Sequence, residues 1–403
     1  MNTKNHDKES YRKFGIYDEN DTLKSAVTWG PVGIEAVLAQ FYPPEISLFL
    51  ADMDVIKARE EALSFSKLLN QKRVETFFAR DIIADTLKPV NIDFDMVLSI
   101  LIQKADDIKA QFNTKNHKNY KEVIEELLKL DVERYGSDRG LTLNWKLSLY
   151  PLLPLGNLIY ARDQMNILLS KRIRSHMKKD IRRPEVELYE LCYQRIFGAE
   201  HKSIIIPEGE TFEGGDAYVH DKTIYIGVGP RTSLGAALFI YRSLKEEIKA
   251  HGLKFVIVYD EFADRRSFSD QMYFMHLDTF SNPVGKKQIA VCLSEAKRRK
   301  VIVIGDSVND PTLVHTGKTF LEYLFEDGQE IVSISESEQQ TFGCNFLAVD
   351  ENSIIVPLRT NKKTIEGLRD IGKNVIFADL SESTKGFGAA HCMTGQLLRQ
   401  TNP

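Results

Sequence analysis

Cysteine is scarce in this chain: four residues in 403, Cys192, Cys292, Cys344 and Cys392, widely spaced and with no CxxC pair. That spacing argues against a disulfide framework or a zinc knuckle and suits a reducing cytoplasm. No apolar run reaches the roughly 20 residues that span a bilayer. The first thirteen residues are polar and lack the apolar core of a secretory signal. An excess of one charge is also missing: 53 Lys and Arg stand against 57 Asp and Glu, a net charge of −4. Nothing in that balance asks for nucleic acid or a membrane surface as partner. Low-complexity linkers and internal sequence repeats are absent too. What is present is 43% hydrophobic content, enough to bury a large core.

Taken in order, residues 21–29 read as a strand ending in a Gly-Pro turn, and 46–50 as a second strand. Apolar positions at helical spacing mark a helix over 55–70. From about 73 to 135 helical patterns dominate, which reads as a helical insertion. Residues 151–164 read as an apolar strand ending in Arg162-Asp163; charges in that position often mark a site, but on their own a solvated turn is the simpler reading. A basic run follows over 171–183. With a near-neutral chain and no interleaved aromatics it does not read as a nucleic-acid patch; a solvated face, or a lure for a substrate carboxylate, fits better. Beyond it, strands (203–206, 223–228, 253–259, 288–293, 301–305, 374–378) alternate with helices (185–197, 234–250, 364–371). Alternation of this kind means an α/β layered domain.

Three short stretches carry the chemistry. Residues 212–216 are Phe-Glu-Gly-Gly-Asp, residues 276–279 are His-Leu-Asp-Thr, and residues 386–394 are Gly-Phe-Gly-Ala-Ala-His-Cys-Met-Thr. Each alone reads as a turn, a core histidine or a small buried hydrophobe. In this order they resemble the arginine deiminase family of guanidine-modifying enzymes, the pentein superfamily. The resemblance implies a five-bladed β/α propeller of ββαβ units, with residues 1–72 and 136–403 as catalytic domain and 73–135 as helical insertion. It implies Cys392 as nucleophile, His276 as general acid/base, Glu213 as the group orienting it, and Asp163 and Asp278 as guanidinium-binding aspartates. Asn157, Asp216, Arg182, Glu185 and Arg231 match the family's contacts to the amino-acid end of the substrate, and Asn345 matches an asparagine that opens a late strand. The implied activity is hydrolysis of a guanidino group, that of L-arginine or a close analogue, to a ureido product and ammonia through a covalent thiouronium. A guanidinium is planar and cationic, so paired carboxylates, a thiolate and a proton donor are what such a step requires. The implied partner is a small guanidino molecule, with no cofactor, no metal, no nucleic acid and no membrane; a homo-oligomer is allowed.

The sequence also departs from the family. Phe387 stands where an arginine is usual, Ala389-Ala390 replace Gly-Gly, Gln164 replaces a proline, and Asp52 and Asp54 are out of register with the family's paired aspartates. Those departures leave the catalytic set intact and weaken the grip on a carboxylate. Amidinotransferase and dihydrolase chemistry share the same intermediate. Outside the superfamily, Asp52 and Asp54 with Asp306 and Asp310 resemble the motifs of haloacid-dehalogenase-type phosphatases. A metal-dependent ureohydrolase using His276, Asp278, Glu213 and Asp216 is another reading, although no DxHxD cluster is present. A non-catalytic guanidino-binding protein is the last.

Overall fold

The computed structural model describes residues 13–49, 51–112, 119–149, 155–305 and 311–401. These residues form an α/β structure whose strands fall into five sheets. Each sheet is built on an antiparallel pair and a third strand that returns parallel after a helix, and one of the five carries two further strands. Met165–Leu168 pairs antiparallel with Lys171–Arg174, and Ile204–Ile205 returns parallel after the helix Arg183–Phe197. Ala217–His220, Thr223–Val228 and Lys254–Tyr259 repeat the plan around the helix Leu234–His251. Ser281–Gly285, Gln288–Cys292 and Glu330–Ile334 form the next unit. Its excursion sends Lys300–Gly305 and Thr312–Thr319 out to extend the preceding sheet to five strands. Leu347–Ala348, Ser353–Pro357 and Asn374–Ala378 form another around Lys362–Asp370. The last unit joins the two ends of the chain. Gly395–Gln400 pairs antiparallel with Thr22–Thr28, and Glu75–Phe78 returns parallel after Val55–Gln71.

Local sequence explains these elements. Ile224, Tyr225 and Ile226 and the run Phe255–Val258 are buried without a break, as strands covered on both faces must be. Ser233 accepts a hydrogen bond from the Ala236 amide at the start of the helix Leu234–His251, and Gly252 ends that helix in the left-handed region at φ 60°.

Two expectations fail for local reasons. The expected strand over 46–50 is, in its described part, the short helix Pro44–Ser47; Pro44 sits at the first helical position, where its fixed φ and missing N–H cost nothing. The expected strand over 151–164 lies partly outside the described residues. In the described part a turn leads into the single helical turn Ala161–Gln164, and the strand starts only at Met165.

Helices occupy Ala79–Thr86, Phe94–Phe112, Tyr120–Tyr135 and Ser137–Ser148. Buried Arg80 ties the helix Ala79–Thr86 to the helices Ile34–Ala39 and Tyr120–Tyr135: its guanidinium reaches Glu35 at 2.6 Å and Asp131 at 2.5 Å. Glu35 also accepts from the Trp29 indole at 2.8 Å, and Asp131 meets Arg59 at 2.8 Å. Every charge in the cluster has a partner, as burial demands.

Candidate active site

The residues just ahead of the first strand of each unit converge on one place. Asp163 precedes Met165–Leu168, Asp216 precedes Ala217–His220, Asp278 precedes Ser281–Gly285, Asn345 precedes Leu347–Ala348, and Cys392 precedes Gly395–Gln400. A repeated backbone plan thus delivers one polar side chain per unit to a common centre.

The glycines of the Phe-Glu-Gly-Gly-Asp turn permit that convergence. A Cβ on Gly214 would stand 2.1 Å from the Arg162 carbonyl oxygen. A Cβ on Gly215 would stand 2.7 Å from His276 Nδ1 and 3.0 Å from Asp278 Oδ1. Near the thiol, a Cβ on Gly388 would fall 2.3 Å from the Tyr160 ring. Only glycine lets these segments touch.

Cys392 is buried, 3% exposed, and not in the partly open, electropositive setting expected of a reactive thiol. Asn345 holds it from both sides: its carbonyl oxygen accepts from the Ala389 and Cys392 amides at 3.0 and 3.2 Å, and its Nδ2 donates to Sγ at 3.1 Å. Asp278 Oδ2 lies 3.7 Å from Sγ. Burial, and then the carboxylates of Asp278 and Asp163, push the thiol well above its ordinary pKa. The same carboxylates that make the empty site hostile to a thiolate make it welcoming to a cation.

Asp278 is ionised for a reason that can be traced. Burial alone would raise its pKa, but the His391 hydrogen bond at 2.7 Å and the charges of His391, His276 and Arg162 hold it below the usual carboxylate range. His391 in turn faces Glu19 at 3.2 Å through Nε2, and Glu19 pairs with Arg162 at 2.6 Å. The second oxygen of Asp278, Oδ1, is buried and has no hydrogen-bond partner among the described residues. A free acceptor of this kind, beside a thiol, awaits an N–H donor.

His276 faces two carboxylates. Its Nε2 meets Glu213 at 2.9 Å, and its Nδ1 lies 3.7 Å from Asp163. Burial opposes the charge, yet Asp163, Glu213 and Asp216 lift the imidazole to about 9. Asp216 accepts from the Thr232 hydroxyl at 2.6 Å and the Leu277 amide at 2.9 Å, fixing the turn that presents His276. Burial raises Asp216 itself to about 7.

The expected substrate contacts divide. Asn157 and Arg182 line the cleft beside Cys392, Asp163 and His276. Arg182 is engaged internally, 2.9 Å from Asp163, 3.1 Å from Glu185 and 3.6 Å from Glu213, so this member of the basic run is no solvated face. Glu185 sits behind Arg182 and also accepts from the Asn157 amide at 3.0 Å. Asp216 supports the histidine turn. Arg231 is buried, with Nη1 3.5 Å from Glu213 and Nη2 donating to the Met272 sulfur at 3.6 Å.

Sequence reasoning gave no role to His391, although it adjoins Cys392, and overlooked Glu19, which sits in no motif. Asp163, Glu213 and His276 offer ligand atoms within 4.8 Å of one another, the only such group among the described residues. Arg182 already stands as the cation beside that group, and Asp278 and Asp216 of the ureohydrolase reading are not in it. In the phosphatase reading, exposed Asp54 caps a helix by accepting from the Lys57 amide at 3.1 Å. Asp306 and Asp310 lie outside the described residues.

Comparison with known proteins places this geometry. The family described as "ADI: Arginine deiminase" matches residues 47–399. The arginine deiminase of Mycoplasma capricolum subsp. capricolum is 27% identical, over 96% of this chain and 98% of its own. Among solved structures, DDAH from Pseudomonas aeruginosa with citrulline bound superposes with a TM-score of 0.54 at 18% identity, covering 94% of this chain and 100% of its own. The N-terminal domain of ArgZ, an arginine dihydrolase from cyanobacteria, gives 0.56 at 15% identity, covering 95% and 99%. Both structures speak to the fold alone.

Proposed function

Because the chain belongs to the arginine deiminase family, hydrolases of C–N bonds in linear amidines, we propose that it deiminates a guanidino group, of L-arginine or a close analogue, to a ureido product such as L-citrulline. The carrying observation is the unpartnered Asp278 Oδ1 beside a thiol held by Asn345. In the proposed course the substrate guanidinium donates to Asp278 and Asp163. Its charge offsets the two carboxylates, so Cys392 releases its proton to solvent and becomes a thiolate as the substrate arrives. Sulfur attacks the central carbon, and His276 gives its proton to the departing nitrogen, which leaves as ammonia. His276 then takes a proton from water attacking the thiouronium carbon; the C–S bond breaks as the new hydroxyl group passes its proton to the departing sulfur, and the neutral ureido product leaves.

Several wider readings belong with this proposal. The five sheets, each with its returning parallel strand, support a five-bladed pentein arrangement. The helices from Ala79 to Ser148 support an insertion somewhat displaced from the expected 73–135. Four buried free cysteines suit the cytoplasm. No described helix is long and apolar enough to cross a membrane.

The test is product identification by mass spectrometry with a panel of guanidines. One ammonia per ureido product is expected. Two ammonia and no ureido product point to dihydrolase chemistry, and dependence on an acceptor amine points to a transferase. Cys392→Ser is expected to lower turnover more than about a thousandfold while keeping ligand binding; unchanged turnover ends the mechanism.

A further inference from the structure

The cleft beside Cys392 has walls of two kinds. Leu48, Met272, Met275 and Phe387 cover it with a buried apolar cluster. Behind Met272 the character reverses. Arg231 is 3% exposed and donates through Nη2 to the Met272 sulfur at 3.6 Å, while its Nη1 has no hydrogen-bond partner among the described residues. Arg182, which lines the cleft, keeps its Nη2 equally unpartnered. A thioether is a weak acceptor, so an arriving carboxylate would displace it. Two buried guanidinium nitrogens call for an acceptor that their neighbours do not supply.

Lys179 stands at the same place. The Phe212 amide donates to the His176 carbonyl at 3.0 Å, and the Lys178 amide donates to Glu213 Oε1 at 3.1 Å. Arg231 Nη1 lies 3.5 Å from that same oxygen. Glu213 thus holds the backbone next to Lys179 beside the Arg231 guanidinium. The other oxygen of Glu213 meets His276 at 2.9 Å and stands 3.6 Å from Arg182. One carboxylate is therefore shared by Arg182, Arg231 and His276, and none is left for Lys179. Lys179 is half-buried and has no ion pair among the described residues. The adjacent Asp180 is turned to Arg183, 3.1 Å away. Burial, and then the charge of Arg231, lower the Lys179 ammonium from its ordinary range. Like charges are held together here at a cost that a bound anion relieves.

We propose that Lys179 is a specificity-determining residue: with the unpartnered edges of Arg231 and Arg182 it takes the carboxylate of a guanidino acid, so that guanidines carrying a carboxylate are chosen over those without one. This rests on the guanidine reading above. The probes are δ-guanidinovalerate and n-butylguanidine, which differ by the carboxylate alone, with binding measured by calorimetry on Cys392→Ser and ammonia release on the wild type. Cys392→Ser is expected to bind δ-guanidinovalerate at least about tenfold more tightly than n-butylguanidine, and wild-type kcat/KM to follow. Adding Lys179→Met, which keeps an unbranched stem and removes the charge, is expected to cut that ratio by about tenfold. In turnover the same substitution is expected to raise KM for the acid more than it lowers kcat. Lys179→Arg is expected to restore the ratio. A ratio unmoved by Lys179→Met, or near one from the outset, overturns the assignment and leaves the hydrolase reading standing. A ratio as low in Lys179→Arg as in Lys179→Met overturns it too, because charge is then not what matters. A ratio that falls in Lys179→Met and returns in Lys179→Arg, without ammonia from either compound, supports the assignment and overturns the hydrolase reading. Binding of neither guanidine overturns both.

Discussion

At one end of the cleft Cys392 sits where Asn345, Asp278 and the turn 386–394 hold it by hydrogen bonds of fixed direction. At the other end Phe387 sits against Met272 and Met275, where contact is apolar and has no preferred angle. Both ends are equally buried. The difference is in what can be changed. A directional network tolerates no isosteric swap that alters donors or charge, because a partner is then left unsatisfied in a dry place. An apolar cluster tolerates swaps that keep volume and answers by changing how readily it parts. Chemistry is therefore expected to be fixed at the polar end and access at the apolar one.

The largest effect that tests this contrast is expected for Asp278→Asn. The side chain keeps its shape, yet the charge facing His391 and the substrate is lost, and one of the two acceptor oxygens becomes a donor. Turnover is expected to fall by about a thousandfold or more while the protein stays folded. Activity within tenfold of wild type would mean that the carboxylate does not touch the substrate. Asn345→Ala comes next. Asn345 acts through Cys392, so it is a positioning residue; kcat is expected to drop about 10- to 100-fold with KM little changed. A rise in KM alone would assign Asn345 to binding instead.

Dependence on pH is the third measure of the polar end. His276 is raised to about 9, so its contribution to stability is full below about 6.5, its unfolded value, and is lost as pH rises through 9. Asp216, raised to about 7, has the same sign and loses its share as pH climbs through 7. Asp278 and Glu19, held low by their partners, act oppositely and give up their share in acid. The thermal midpoint is expected to fall on both sides of neutrality. On the basic side kcat/KM is expected to decline above about pH 9. Glu213→Gln removes one support of the imidazolium, and is expected to move that limb to lower pH by about 1. An unmoved limb would show that another group carries the proton.

Much of the polar end was legible in the sequence because its chemistry demands particular residue types. The likeness of three motifs to one family names Cys392, His276, Glu213, Asp278 and Asp216, and a match to the same family names Asp163, since Arg162-Asp163 alone reads as a solvated turn. The partners that hold them were less visible. Glu19 sits in no motif, and only the fold brings it to Arg162 and His391. The strand plan common to the five sheets was hidden as well. It resides in strand pairing, and strands as short as Ile204–Ile205 and Leu347–Ala348 leave no period to read. The apolar end could not be read at all beyond Phe387. Methionines at 272 and 275 look like ordinary core residues until the chain carries them over the thiol.

Met275→Leu is the smallest expected change and the sharpest counterpart to Asp278→Asn. Both substitutions nearly preserve volume; Met275 lines the cleft, and Asp278 stands 3.7 Å from the Cys392 sulfur. Met275 contacts its neighbours only through apolar surface and packs with Leu48, Met272 and Phe387. Leucine keeps that surface but is branched and stiffer, so the cover should part less readily. Consequently kcat is expected to stay within about threefold of wild type, while KM rises. Were Met275→Leu to cost turnover as heavily as Asp278→Asn, the cover would belong to the chemistry, and the division between a directional end and a permissive end would not hold.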